Sequence, residues 1–314
     1  MTAMTYVHPS AMLSEAVACL NCGPGKVVVD GTLGGSGHAR VICSQIFPGG
    51  RFIGIDQDDA AIKNAASVLA PFGDGVRLFH DNFSNLPAVL SSLGIAAVDG
   101  VLLDLGISLY HLRQSGRGFS FQADEPLDMR MDERLPRTAA DLVGALSAQE
   151  LEAIFRTYGE ERWARRIAGR IVAERARRPL CTSRELAEVV ADAVPGKGRG
   201  DRIHPATRVF MALRICVNGE LDVLSRFLDT IMDHLSPGGR LCILSFHSLE
   251  DRMVKQRMRE WERACVCPVG LPVCACGKEP LVKRVTSKPL RPGQEELDVN
   301  PMARSTRLRA IEKL

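Results

Sequence analysis

Short apolar blocks alternate with amphipathic stretches through the first hundred residues of this chain. The blocks at 26–30, 51–56, 76–80 and 99–105 have the length of buried strands. Helical spacing fills the gaps, most clearly at 59–70, where Pro71 and the Gly73-Asp-Gly75 turn stop it. From about residue 114 to 204 the rhythm changes to helical periodicity without strands, as at 148–158, 163–177 and 183–194, with Ser183 as a capped start. Residues 197–202, Lys-Gly-Arg-Gly-Asp-Arg, read as a polar linker. After His204-Pro205, the residues Phe210, Leu213, Val217, Leu221, Leu224, Leu228 and Ile231 recur every three or four positions and predict one long amphipathic helix. Pro237-Gly-Gly239 ends it, and 240–246 is a further buried strand.

This alternation, interrupted and resumed, predicts an α/β fold: one doubly wound, Rossmann-like sheet with an all-helical domain inserted after the fourth strand. The expected segments are 1–115 and 205–314 for the sheet domain, the latter ending in a basic tail, and 116–204 for the insertion. With 314 residues there is ample core for this arrangement.

No apolar run has the length of a membrane span, and residues 1–22 lack a basic stretch followed by an apolar block, so neither a membrane location nor export is expected. The ten cysteines are therefore read as thiols of a reducing cytoplasm. The net charge of +3 hides an asymmetry: 161–214 holds 13 Lys+Arg against 6 Asp+Glu, and 251–314 holds 14 against 8, leaving −10 on the rest. Two basic regions on an acidic body point to a polyanionic partner such as nucleic acid, with solvated helix faces as the competing explanation.

The candidate chemistry lies at the strand tips. Val27-Val-Val-Asp30 breaks into Gly31-Thr-Leu-Gly34-Gly35-Ser36-Gly37-His38, and the next strand also ends in a carboxylate, Asp56. Strand, glycine turn, helix, strand and acid is the layout of a nucleotide-type site. The G-x-G-x-x-G of a dinucleotide loop is absent, as is the phosphate-binding G-x-x-x-x-G-K-[ST], which argues against a nicotinamide oxidoreductase. Asp30 would repel a pyrophosphate but attract an ammonium or sulfonium, and Asp56 can accept ribose hydroxyls. S-adenosylmethionine carries both ends; the bland alternative is a plain strand–turn–helix whose glycines only make turns. Further polar groups cap the later strands: His80, Asp81, Asn82 and Phe83, then Asp104, then His247, Ser248, Glu250 and Asp251. Such convergence on one sheet edge is where open α/β sheets bind ligands.

These segments resemble the ribosomal RNA small-subunit methyltransferase H family nearly end to end. The resemblance is carried by Asp30-Gly-Thr with Gly37-His38, Asp104-Leu-Gly, Arg117-Gly-Phe-Ser-Phe-Gln, Pro126-Leu-Asp-Met-Arg-Met-Asp132 and Tyr158-Gly-Glu-Glu-Arg162. It continues through His204-Pro-Ala-Thr-Arg208, Arg214-Ile-Cys-Val-Asn218, Ser245-Phe-His-Ser-Leu-Glu-Asp-Arg252 and Asn300-Pro. It implies an S-adenosylmethionine-dependent methyltransferase sheet and transfer to the exocyclic N4 of a 16S rRNA cytidine in the decoding centre. The partner is then 16S rRNA or the small ribosomal subunit, in the cytoplasm. Carried over by position, the cofactor contacts are Ser36, Gly37 and His38 in the turn, Asp56 on the ribose, Phe83 beside the adenine, Asp104 at the reacting end, and His111. Two segments depart from the family pattern. Gly34-Gly-Ser-Gly-His38 stands for Gly-Arg-Gly-Gly-His, and Ser108-Leu-Tyr-His111 for Ser-Ser-x-Gln, which puts a titratable ring in place of an amide.

Methylating a cytosine amine requires an acceptor for its hydrogen and alignment with the methyl donor, because the amine lone pair is delocalised into the ring. Asp104 and the Leu105 carbonyl are placed for this. The Asp-Leu-Gly-Ile here differs from the Asp/Asn-Pro-Pro-aromatic common in amino-methylating enzymes, so the target atom follows from the resemblance. His247 either receives the proton or caps the following helix. Arg162, Arg165, Arg166, Arg170 and Arg177 approximate one helix face, for phosphate contact or for ion pairing with Glu160, Glu161 and Glu174. Cys265-x-Cys267 and Cys274-x-Cys276 have a spacing compatible with a structural four-thiolate zinc site or with plain thiols; no catalytic metal is expected. The rival function is a noncatalytic RNA-binding protein on a methyltransferase scaffold, which predicts degraded carboxylates, whereas Asp30, Asp56 and Asp104 are all present.

Overall fold

The computed structural model describes residues 10–195, 204–265, 267 and 276–314. The strands are β1 (Val27–Asp30), β2 (Arg51–Asp56), β3 (Val76–His80), β4 (Val98–Asp104), β5 (Leu235–Ser245), β6 (Val282–Arg284) and β7 (Arg307–Lys313). The helices are α1 (Leu13–Leu20), α2 (Gly37–Ile46), α3 (Asp59–Leu69), α4 (Leu86–Ser92), α5 (Leu109–Arg113), α6 (Ala139–Ala145), α7 (Ala148–Thr157), α8 (Ala164–Arg175), α9 (Ser183–Ala193), α10 (Ala206–Asn218), α11 (Glu220–His234), α12 (Ser248–Glu262) and α13 (Gln294–Val299). The chain divides into two compact units, Met1–Gly106 with Asp222–Leu314, and Ile107–Leu221.

The first unit is built on a seven-stranded sheet in the order β3-β2-β1-β4-β5-β7-β6. β1 to β5 are mutually parallel, and β7 runs antiparallel to both β5 and β6. Successive residues of the central strands point into opposite cores. Val29, Leu103 and Ile243 pack with Phe227 and Leu228 of α11, while Val28, Leu102 and Cys242 pack with Leu20 of α1 and Ile42 of α2. Both faces are covered, which explains why these strands read as unbroken apolar runs. Each such side chain removed from water contributes roughly 1.5–3 kcal/mol. This is a Rossmann-like doubly wound sheet, as the sequence implied.

The C-terminal part corrects the expectation of a basic tail, because Arg307–Lys313 is a sheet strand. Leu308 and Ala310 alternate with Arg307 and Arg309, so one side enters the core while the other carries charge up to Ile311, which is buried in the opposite core. Both arginines meet the buried Asp251 of α12, at 2.6 Å from Arg307 and 2.7 Å from Arg309. Sequence reading saw the charge and missed the period of two.

The second unit is helical, with Phe155, Ile167, Ile171, Leu186, Val190 and Leu213 in its core. Capping boxes start four of its described helices: Ser108 with His111, Thr138 with Asp141, Ser147 with Glu150, and Thr182 with Glu185. The cap of α9 is thus Thr182 rather than Ser183, whose hydroxyl donates to the Ala123 carbonyl at 2.8 Å. The motif segments of this unit also serve its packing. Asn218 Oδ1 accepts from Met131 N–H at 2.7 Å while its amide donates to the Met129 carbonyl at 2.8 Å.

The single long helix expected after His204-Pro205 is two helices. Gly219 takes φ 58° and its N–H bonds to Ile215 O, closing α10 with a left-handed cap before α11 begins. Apolar spacing continues through the break, so periodicity alone does not show it. α10 contributes Val209, Phe210 and Leu213 to the helical core, and the units divide after Leu221 rather than at 204. The linker at 197–202 lies outside the described residues. Among the described residues no helix is long and apolar enough to cross a membrane.

Candidate active site

Gly31 begins the turn after β1 because nothing larger fits: a Cβ there would lie 2.5 Å from Leu103 Cδ2 and 3.0 Å from Phe83 Cβ. Its N–H donates to Leu102 O at 2.9 Å, continuing the β1–β4 ladder beyond Asp30. Thr32 then joins two strand tips. Its N–H donates to Asp30 Oδ1 at 3.1 Å, and its Oγ1 accepts from the backbone N–H of Asp104 at 2.6 Å. Thr32 was not singled out in the sequence; its place immediately after Gly31 was the available signal.

The turn is closed from the β2 side by Asp56. Its Oδ2 accepts from Gly34 N–H at 2.9 Å and its Oδ1 from Asp58 N–H at 2.8 Å. A carboxylate offers about four acceptor positions, so Asp56 can hold the turn and still accept ribose hydroxyls. Ser36, at φ 63°, caps α2 in the left-handed region, fully buried, with its Oγ accepting from Asn64 Nδ2 at 3.3 Å. Gly37 and His38 open α2.

His38 is buried, with Nε2 donating to Ala11 O at 3.1 Å. A carbonyl can only accept, so the ring proton of neutral His38 sits on Nε2. Nδ1 therefore faces Asp104 Oδ2, 3.6 Å away, with its lone pair. A proton on either group turns this contact from repulsive to attractive. Asp104 is the group primed to carry it. Burial, reinforced by the Glu250 and Glu296 carboxylates, raises its carboxyl to about 8. Asp30, 1% exposed, is also raised well above the usual carboxylate range, by burial first, against the lowering effect of the Thr32 N–H, with Asp104 and Asp56 adding to the rise.

Asp30 Oδ2 and Asp104 Oδ1 are buried without a hydrogen-bond partner among the described residues. Two such acceptors on the adjacent strands β1 and β4 are unfavourable unless a donor or cation arrives. That donor-poor pair fits the cationic amino-acid end of S-adenosylmethionine, and the Asp56 carboxylate at the neighbouring strand tip fits its ribose.

Phe83, just beyond β3, is 9% exposed and packs edge-on against Phe227 of α11, with ring centroids 5.5 Å apart. It belongs to the sheet's core and backs the Gly31 turn. Beside it, Asn82 donates to Gln57 Oε1 at 3.1 Å and caps the following turn through Ser84 N–H. His80 Nε2 donates to Gln57 O at 3.0 Å.

His247 is the N-cap of α12: its Nδ1 accepts from Glu250 N–H at 3.4 Å and its Nε2 lies 3.1 Å from Glu250 Oε1. Glu250 in turn accepts from Phe246 N–H at 2.9 Å. Ser36, Gly37, His38, Asp56, Phe83, Asp104 and His247 thus all belong to the sheet unit. His111 belongs to the helical unit, where it completes the capping box of α5 with Ser108 and packs edge-on to Phe119 at 5.0 Å.

Two features bear on a polyanionic partner. On α8, Arg170 lies 3.7 Å from Glu174, with Arg177 and Arg178 at 3.5 and 3.4 Å from the same residue, so ion pairing holds for Arg170 and Arg177. Arg165 and Arg166 are exposed, with no ion pair among the described residues. In the sheet unit, α12, β6, β7 and the chain after β6 line a cleft of about 350 Å³ that includes Lys255, Arg259, Arg284, Lys288 and Arg291, with Asp251 the sole acidic residue among the described ones.

Comparison with known proteins matches residues 5–314 to the MraW methylase family. Proteins named ribosomal RNA small subunit methyltransferase H are close relatives. That of Desulfosudis oleivorans is 58% identical over 99% of this chain and 100% of its own length, and that of Desulforapulum autotrophicum 56% identical over 98% of each. The Syntrophotalea carbinolica protein of the same name is 54% identical over the whole of both chains. Among solved structures, an rRNA methylase from Streptococcus thermophilus is similar at a TM-score of 0.41 and 11% identity, over 96% of this chain and 93% of that one.

Proposed function

The chain belongs to the MraW methylase family and is an rRNA methyltransferase, and we propose that it methylates the exocyclic N4 of a 16S rRNA cytidine at the ribosomal decoding centre. The observation that carries this reading is the pair of buried carboxylate oxygens of Asp30 and Asp104, without a hydrogen-bond partner among the described residues, beneath the glycine turn. S-adenosylmethionine, when bound, supplies an electrophilic methyl on a sulfonium. Asp30 and Asp104 accept the donors of its amino-acid end, Asp56 its ribose hydroxyls, and Phe83 backs its adenine. Ser36, Gly37 and His38 would shape the turn against it; His111 is a contact on the family resemblance alone.

Asp104, ionised once the cofactor's positive charge is bound beside it, would accept the hydrogen of the cytosine amine and take up the proton that the amine must lose as its nitrogen gains a methyl. His38, with Nδ1 facing Asp104 Oδ2, takes part of that charge. His247 acts through Asp104: both of its ring nitrogens contact Glu250, and Glu250 helps to raise the Asp104 carboxyl. The noncatalytic alternative has no use for such destabilised acids.

The cytidine must be extruded or already single-stranded. The exposed Arg165 and Arg166 of the insertion are available for RNA phosphates, as, separately, is the basic cleft of the sheet unit, for a substrate on the small ribosomal subunit in the cytoplasm. Methyl transfer from labelled cofactor to unmethylated small subunits or 16S rRNA, followed by nucleoside analysis, tests the proposal. Label in N4-methylcytidine is expected; label on the ring carbon, on ribose or on protein overturns the assignment.

A further inference from the structure

The chain between α12 and β6 brings Cys265, Cys267 and Cys276 together, with their sulfurs all within 4.8 Å of one another. None of the three is in a disulfide. Cys265 Sγ and Cys276 Sγ stand 3.8 Å apart. A disulfide requires about 2.05 Å, whereas two sulfurs bound to one tetrahedral zinc at about 2.3 Å each are separated by about 3.8 Å. The backbone N–H of Cys267 donates to Cys265 Sγ at 3.4 Å, and a hydrogen bond to sulfur favours the thiolate, the form that binds metal.

Burial does not explain this convergence. Cys265 and Cys276 are exposed and Cys267 is only half-buried, so no apolar core draws the sulfurs together. The backbone on either side is held in place independently. Lys278 Nζ donates to Glu260 O at 2.8 Å, and the Arg284 guanidinium pairs with Glu262. The loop is thus fastened at its base, with three soft ligands gathered at one point beyond it.

We propose that Cys265, Cys267 and Cys276 form a structural zinc site. Binding replaces three S–H bonds by three Zn–S bonds and releases three protons to solvent. The metal stays divalent throughout, so no oxidant or reductant takes part. All-sulfur ligation fits a structural metal. Cys274, the other thiol of the paired motif, lies outside the described residues, and the proposal stands on the other three. The site closes the chain between α12, which carries Lys255 and Arg259, and β6, which carries Arg284, and so staples elements that line the basic cleft. It is independent of methyl transfer, so its failure leaves that reading intact.

The test is elemental analysis of the full-length chain purified reduced and without chelator, followed by exchange with Co(II) alone. About one zinc per chain and an intense thiolate-to-cobalt charge-transfer band are expected. A Cys265→Ser/Cys276→Ser double variant loses both signals, and Cys181→Ser keeps both. Should the double variant not fold, the metal content and cobalt spectrum of the unaltered chain decide alone. Zinc far below stoichiometric with no cobalt–thiolate band overturns the proposal. So does a folded double variant that keeps its zinc, or a Cys265–Cys276 disulfide in protein purified without oxygen.

Discussion

The backbone N–H of Asp104 donates to Thr32 Oγ1 across 2.6 Å, tying the tip of β4 to the turn after β1. Both partners stand beside the unpartnered Asp30 and Asp104 oxygens, so this bond sets where the two acceptors lie. Thr32→Val keeps the shape and removes the acceptor. The stranded amide should cost about 1–3 kcal/mol in urea unfolding, with weaker S-adenosylmethionine binding by calorimetry. Thr32→Ser should recover most of both. Equal losses in Thr32→Ser and Thr32→Val would show that the hydroxyl is irrelevant.

The raised Asp104 carboxyl has a pH signature. Folded protein keeps a proton up to about 8 that the unfolded chain releases in the ordinary carboxylate range. The unfolded state then binds fewer protons, so stability is fully present below that range and falls as pH rises toward about 8. Asp104→Asn removes this loss. Its melting temperature relative to the parent should therefore rise between pH 5 and 9, by about 2 °C for each kcal/mol. Cofactor affinity should move the opposite way: it strengthens in the parent as Asp104 ionises, and is weak and pH-independent in the variant. A flat melting difference would refute the raised carboxyl.

Asp251 shows the opposite sign. The Arg309 and Arg307 guanidiniums outweigh burial and hold its carboxyl below the usual range. The stability it contributes is present above the ordinary carboxylate range and lost as pH falls through its lowered folded value. Asp251→Asn should destabilise by about 3–5 kcal/mol at pH 7 and loosen β7 by hydrogen exchange, with a smaller penalty in acid. An unchanged exchange pattern at Leu308 to Ile311 would mean that the pair does not anchor the strand.

What was legible follows from which forces leave a one-dimensional trace. β1, β4 and β5 are covered on both faces, so Val28-Val29, Leu102-Leu103 and Cys242-Ile243 stand as adjacent apolar pairs, and acids end β1, β2 and β4 where apolar packing stops. β7 hid because its arginines answer Asp251, 56 residues away for Arg307, a partnership visible only in space. The Gly219 break hid because both helices keep their apolar stripes. Ser36 is subtler. It occupies a left-handed position, φ 63°, where the family resemblance implies glycine, and its buried hydroxyl bonds to Asn64. Thr32 was unreadable because a threonine in a turn is ordinary until its partner's amide is located.

Ion pairing divides the arginines of the insertion into two sets. Arg170 and Arg177 share Glu174, whereas Arg165 and Arg166 are exposed without such a partner among the described residues. Arg165→Ala/Arg166→Ala should weaken binding to small subunits or 16S rRNA and flatten the dependence of log K on log salt by roughly 0.7–0.9 for each phosphate no longer neutralised. Arg170→Ala/Arg177→Ala should leave that slope nearly intact. Equal slopes for the two double variants would assign the whole face to solvent.

His247 separates capping from proton transfer. Its Nδ1 accepts from Glu250 N–H, as an N-cap side chain does. Asparagine places an acceptor oxygen at nearly the same point but titrates nowhere near neutrality. His247→Ala should lose about 0.5–2 kcal/mol of stability. If His247 works only by fixing α12 and its Glu250, His247→Asn should restore stability and keep kcat within a few-fold, with the pH–rate profile unchanged. If the imidazole itself takes the amine proton, His247→Asn would fold normally yet lose about 10²–10⁴-fold in kcat. The second result would move the proton acceptor from Asp104 to His247, because a cap that is intact and a rate that is gone cannot both follow from positioning.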